Sequence, residues 1–185
     1  MIETILIAFI VSKIKGFDIK PLFKTWTIYP TILLELLYLI GQAMIFLENY
    51  EAIRYMGVMK SAYLCSYLFL VFKYEIYWSA IIGAVFTLLG GLLNDIVIKA
   101  NGGFMPVYPT ISCLTGYVNK DTLNLVDNLH ILGSEATKFK ILTDYIDLGY
   151  SILSIGDVLI RIFVFLIIFN SIRKINVQTK EELKC

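Results

Sequence analysis

The stretch "YWSAIIGAVFTLLGGLLNDIVI", residues 77–98, decides the class of this protein. It is apolar almost throughout, and about 20 such residues are enough for a helix to cross a bilayer. It opens on Tyr77 and Trp78 and is followed by Lys99. Aromatic rings at a segment end, with charge just outside, mark a membrane interface. The whole chain agrees: 58% of its 185 residues are hydrophobic and only 17% are charged. A soluble domain carries about a quarter charged residues. Here the apolar residues come in blocks with charges at their edges, so residues 1–185 read as a single integral membrane domain.

Four more blocks accompany this one, giving segments near 2–14, 27–47, 57–72, 77–98 and 152–169. The first is short for a span and reads as weak, tilted or interfacial. The second carries Pro30 in its first turn, where a missing N–H does no harm. In the third, Lys60 lies near an end, from which its side chain can snorkel. Trp26, Tyr29 and Tyr74 also fall at segment ends. The expected fold is therefore all-α: a polytopic transmembrane helical bundle of about five spans.

Lysines and arginines set the orientation. Lys13, Lys15, Lys20 and Lys24 fill the first connection and Lys73 the third, while Arg173, Lys174, Lys180 and Lys184 crowd the tail. In the second connection Arg54 is balanced by Glu48 and Glu51. The positive-inside rule puts the lysine-rich connections and the C-terminus in the cytoplasm. The N-terminus and the stretch 99–150 then lie outside. At roughly 50 residues, that outer stretch is long enough to be structured or functional. Within it Leu125, Leu129, Leu132, Ala136 and Phe139 recur at three or four residues, which predicts an amphipathic helix. Before it, "NGGFMPV" (101–107) closes the fourth segment: Gly102 or Gly103 supplies a left-handed residue, and Pro106 cannot continue a helix.

Several function classes fall away. A net charge of +1 gives no basic surface for nucleic acid. Cys65, Cys113 and Cys185 form neither a metal motif nor a disulfide framework. The N-terminus lacks a basic leader and a small-residue cleavage site, and is expected to be retained. No cofactor or metal is expected.

The expensive residues are the polar ones inside the blocks, since a charge at a helix centre costs at least about 2.5 kcal/mol. Glu35, Tyr38 and Gln42 share one helical face, which should point into the bundle. Asn94 and Asp95 lie late in the fourth segment, and Asp157 and Arg161 in the fifth are four apart, close enough to pair. These groups either neutralise one another and hold the bundle together, or Glu35, Asp95 and Asp157 line a proton or ion path. Gly83, Thr87 and Gly91 form a small-xxx-small stripe suited to close helix packing. In the outer stretch His130 has Asp127 three residues before it and Glu135 five after, with Asp144 and Asp147 following. That set falls short of a zinc motif. His130 reads as a solvated or capping residue, as a general base with Asp144 assisting, or as the partner of a Cys113 nucleophile.

Three stretches together carry a resemblance: "GGLLNDIVIKANGGFMPV" (90–107), "HILGSEATKFKILTDYID" (130–147) and "SILSIGDVLIRI" (151–162). They resemble the DUF5317 family of bacterial, clostridial-type membrane proteins of unknown function, over about Gly90 to Ile168. The resemblance implies a multi-pass protein of the bacterial plasma membrane and supplies no activity. The residues it singles out here are His130, Thr137, Asp144, Ser154, Gly156 and Asp157. Asp95 stands where the family pattern leads one to expect an apolar residue, and prolines expected between Asp144 and Ser154 are absent. With the turn, the resemblance gives as ligand-binding candidates Asn101, Gly102, Gly103, Met105, Pro106, His130, Thr137, Asp144 and Asp157. The reading favoured is a non-enzymatic membrane protein, surrounded by lipid, that binds a partner protein, peptide or small ligand through the outer stretch. Alternatives are a small transporter or channel component using Glu35, Asp95 and Asp157, which would need a homo-oligomer, and a membrane-bound hydrolase with His130 as base.

Overall fold

The structure, a computed structural model, describes residues 1–47, 53–118 and 129–182. Glu48, Glu51, Leu125, Asp127, Lys184 and Cys185 lie outside that range. The helices are α1 (Ile2–Ile14), α2 (Tyr29–Phe46), α3 (Ile53–Ser66), α4 (Leu68–Tyr74), α5 (Tyr77–Ala100), α6 (Ile111–Leu114) and α7 (Ile155–Glu182). Among the described residues four short strands accompany them: β1 (Met105–Val107), β2 (His130–Leu132), β3 (Ile146–Asp147) and β4 (Ile152–Leu153). Among the described residues, three helices are long and apolar enough to cross a membrane: Trp26–Phe46, Tyr77–Ala100 and Ile155–Glu181.

The chain packs as two compact units. The first comprises Met1–Leu39, Gly57–Phe86 and Arg161–Cys185, and the second Ile40–Met56 and Thr87–Ile160. The core of the first unit is built on Leu22, Tyr67, Leu70, Val164, Ile167, Ile168 and Ile172, all fully buried. Its first helix is patterned inside out. Thr4, Ala8 and Ser12, at every fourth position, are buried, whereas Leu6, Ile7, Ile10 and Ile14 are more than half exposed. Small residues inward let helix backbones approach, and large apolar residues outward suit lipid better than water. Ser12 Oγ donates back to Ala8 O at 2.7 Å, so the buried hydroxyl is satisfied within its own helix.

The third apolar block departs from a single helix over 57–72. It starts earlier, at Ile53, and breaks at Tyr67. Tyr67 turns its N–H to Leu64 O, one residue short of the α-helical partner, at 3.3 Å. The buried Tyr67 hydroxyl meets that of Tyr63, and its ring packs edge-on against Phe163. A buried phenol needs a hydrogen-bond partner, and that requirement competes here with straight helix geometry.

In the second unit α5 and α7 meet at glycines. A Cβ on Gly90 would collide with the Gly156 carbonyl, and one on Gly156 with the Asn94 side chain and the Gly90 carbonyl. The stripe read from the sequence is therefore corrected in part: Gly83 does pack closely, against Phe163 in the first unit, but a Cβ on Gly91 would meet open space. Gly90, its neighbour, makes the close approach.

The last apolar block also begins later than expected. Residues 152–153 are strand, and α7 starts at Ile155 because "SIGD" (154–157) is a capping box. Ser154 Oγ accepts the Asp157 N–H at 3.0 Å, and the Asp157 carboxylate accepts the Ser154 N–H at 3.3 Å. Asp157, expected as a charge within the span, stands at the helix start. Arg161, one turn on, donates to Glu3 Oε2 at 2.7 Å within the first unit.

The close contact at the glycines makes a test. Gly156→Ala should lower stability by about 1–3 kcal/mol through overpacking. Gly91→Ala should leave it equal or raise it, because alanine favours helix by up to about 1 kcal/mol. Thermal unfolding in detergent compares the two.

Candidate functional site

The candidate residues between Asn101 and Asp157 all belong to the second unit. The stretch starts where α5 ends. Gly103 N–H reaches back to Ile98 O at 2.9 Å while Gly102 takes φ +73°, a left-handed helix closure. Gly103 follows at φ +93°, so both glycines are there for their backbone. Asn101 is occupied by the chain itself. Its Oδ1 accepts Lys138 N–H at 2.9 Å, and its Nδ2 donates to Lys138 O at 3.1 Å and to Val97 O at 2.9 Å. One amide side chain thus clamps both backbone groups of a residue 37 positions away.

β1 is the centre of the frame and is buried along its length. On one side it pairs in parallel with β2, setting Met105 opposite His130 and Val107 opposite Leu132. On the other, Asp144 N–H donates to Pro106 O at 3.1 Å and Tyr108 N–H to Asp144 O at 2.8 Å. The absent N–H of Pro106 falls on this second side, where pairing is reduced to the Val107–Asp144 bridge. These strands correct the all-α expectation for the outer stretch and the predicted amphipathic helix over its described residues. His130–Leu132 is strand, Gly133 lies under the Tyr108 ring, and Phe139 is left-handed at φ +55°. A three-to-four spacing of Leu and Phe suits a helix, but the parallel partner β1 satisfies the same backbone as strand.

Across β1 the side chains of its two neighbours meet. His130 Nε2 lies 3.5 Å from Asp144 Oδ2, with His130 one-third exposed and Asp144 buried. A carboxylate beside an imidazole fixes the orientation of the ring. Met105 and Pro106 have buried side chains and so hold the frame. Thr137 Oγ1 accepts Ser134 N–H at 2.9 Å and closes the turn after β2. Tyr108 Oη donates to Ser134 O at 3.1 Å, bracing the same turn.

The intramembrane candidates are placed as follows. In the first unit Glu35 is 6% exposed, with the Met1 amino group 3.1 Å from its Oε1. In the second, Gln42 is equally buried and donates to Tyr150 O at 3.3 Å. Asn94 Oδ1 accepts the Ser154 hydroxyl at 2.8 Å. Asp95 is largely exposed and pairs with Lys99 at 3.4 Å. Among the described residues no group of three or more His, Cys, Asp or Glu could hold a metal ion.

A carboxylate that gathers four or more hydrogen bonds is Asp147, which the site residues expected from sequence leave out. Its Oδ2 accepts the backbone N–H of Thr110 at 2.7 Å and of Ser112 at 2.8 Å. Its Oδ1 accepts the Ser112 hydroxyl and, at 2.8 Å, the Gly149 N–H. It therefore fastens the start of α6 to the β3–β4 hairpin. Partial burial pushes its pKa up, but the hydrogen bonds from Ser112, Gly149 and Thr110 outweigh that and hold it at about 2. The sequence signal was present: an aspartate two residues before a glycine, here Gly149 at φ +83°, is an Asx-turn pattern.

A folded pKa below the unfolded one means that the stabilisation is present above about pH 4 and is lost as pH falls towards 2. Backbone amides at Thr110, Ser112 and Gly149 should lose exchange protection over that range. Asp147→Asn should lose it at neutral pH, roughly tenfold or more for each 1.4 kcal/mol removed. Hydrogen exchange read by mass spectrometry checks both.

No curated protein and no solved structure matches the chain. A family model does, over residues 19–169, so the likeness extends well upstream of Gly90 into the first connection. Two of the recognised stretches meet in space: "GGLLND" supplies Gly90 and Asn94 to the crossing, and "SIGD" supplies Ser154 and Gly156. The chain belongs to DUF5317, a family of unknown function.

Proposed function

We propose that the protein is a multi-pass protein of the bacterial plasma membrane, with about five spans, that binds a partner protein or peptide through its outer stretch. The membrane part is supported by the three long apolar helices and by the inside-out pattern of α1. The lysines of the first connection and the basic residues of the tail support a cytoplasmic location for both, with 99–150 outside. The observation that carries the binding reading is a braced frame with apolar side chains left outward. Leu114 is 87% exposed and Ile111 49%, on a short helix fixed by Asp147, and His130 is accessible on its buried aspartate. Rigidly held apolar groups with a polar neighbour suit a protein or peptide surface.

The same His130–Asp144 pair favours one second reading, a membrane-bound hydrolase with His130 as base and Asp144 orienting it.

Purification from native membranes after mild crosslinking tests the first reading. A defined partner should copurify with the parent chain and be reduced by roughly 30-fold or more in Leu114→Asp or His130→Ala, the scale of a hot-spot loss of about 2 kcal/mol. A lone chain without partner or bound peptide overturns it. Loss of a hydrolytic activity in His130→Ala, with the partner still bound, would favour the second reading.

A further inference from the structure

We propose that the segment Lys138–Leu142 is a bilayer anchor, with Phe139 and Ile141 seated in the interfacial zone of the membrane at the end of α5. The inference rests on the reading of α5 as a span and adds a contact that the span does not itself require. Position is the first argument. The apolar helix Tyr77–Ala100 ends one residue before Asn101, and Asn101 holds both backbone groups of Lys138. Phe139 therefore starts at the depth where that helix leaves the bilayer. At about 1.5 Å per residue, 24 residues reach slightly beyond a hydrocarbon core of about 30 Å. The clamp thus sits at the headgroup boundary, where aromatic rings are enriched.

Exposure and charge make the second argument. Phe139 is 56% and Ile141 72% exposed, so no described part of the chain covers either. They alternate with Lys138 and Lys140 in "KFKIL" (138–142). That is the composition of a boundary between headgroups and acyl chains: apolar groups to sink and ammonium groups to stay at the surface. The backbone keeps them outward. Leu142 N–H donates to Phe139 O at 2.8 Å and Thr143 Oγ1 to Lys140 O at 2.6 Å. Glu135 pairs with Lys140 at 3.0 Å and raises its pKa, keeping it charged. A water-facing loop would gain nothing from two outward apolar side chains fixed in this way, whereas a lipid-facing one would.

The test uses the full chain in vesicles of phosphatidylcholine and phosphatidylglycerol. Phe139→Trp and Ile141→Trp are placed separately in a Trp26→Phe, Trp78→Phe background. Each new indole should lose roughly half its emission when lipid chains are brominated near the headgroups, as fits a depth of about 5–10 Å. The parent chain, with Trp26 and Trp78 exposed at helix starts, reports the span reading in parallel. If the parent is quenched while the residue 139 and residue 141 indoles stay water-exposed and unquenched, the anchor is overturned and the span stands. If nothing is quenched and alkali washes the protein from the vesicles, both are overturned. Quenching at both positions in protein that resists the wash establishes the anchor, and two positions guard against one variant failing to fold.

Discussion

The second unit depends on the contact between α5 and α7 at Gly90 and Gly156. With no Cβ on either residue the two backbones come close enough for Asn94 to take the Ser154 hydroxyl. Ser154 is at the same time the cap of α7. One hydroxyl therefore starts a helix and fixes it to its neighbour. The consequence is topological. The start of α7 is held beside Gly90 and Asn94, so the chain that leaves α5 at Asn101 returns alongside the last three turns of the same helix. The entropy of closing a loop of this length is met once, at a contact between regular elements. Short strands and tight turns can then form in this stretch without having to hold its ends.

Within that closed stretch order comes from a few polar side chains that bond to distant backbone. Asn101 takes Lys138, and Asp147 takes Thr110, Ser112 and Gly149. Two- and three-residue strands are too short to stand alone. Buried β1, with a neighbour on each side, and these side-chain clamps supply what a larger sheet would. His130 and Asp144 face each other as a result of that pairing, because β1 stands between β2 and the bridge at Asp144. The first unit is held differently, by an apolar core and by the pairing of Arg161 with Glu3. Few charges survive in such surroundings without a partner.

How much of this was legible follows from the range of each interaction. The apolar helices were, because hydropathy and length are properties of a continuous run. The closure at Gly102 and Gly103 was, because it needs only a local backbone conformation. The capping box at 154–157 was equally local, yet Asp157 stood out as a charge in an apolar block, which hid its role at the helix start. The strand at His130–Leu132 was not legible. Its three residues carry no period, and the partner that makes them a strand lies some 25 positions earlier. Asn101 was visible as the polar residue of its turn, but not that Lys138 would occupy it.

The sequence by itself determined the apolar helices, the basic connections between them and the family that residues 19–169 match. Those properties are carried by runs of neighbouring residues, and no folding is needed to express them. Only the tertiary structure decided which glycine makes the helix contact, which carboxylate fastens α6 to the β3–β4 hairpin and that Asp144 faces His130. Each depends on a backbone group or a missing Cβ contributed from far along the chain, and a linear pattern holds no record of distance in space.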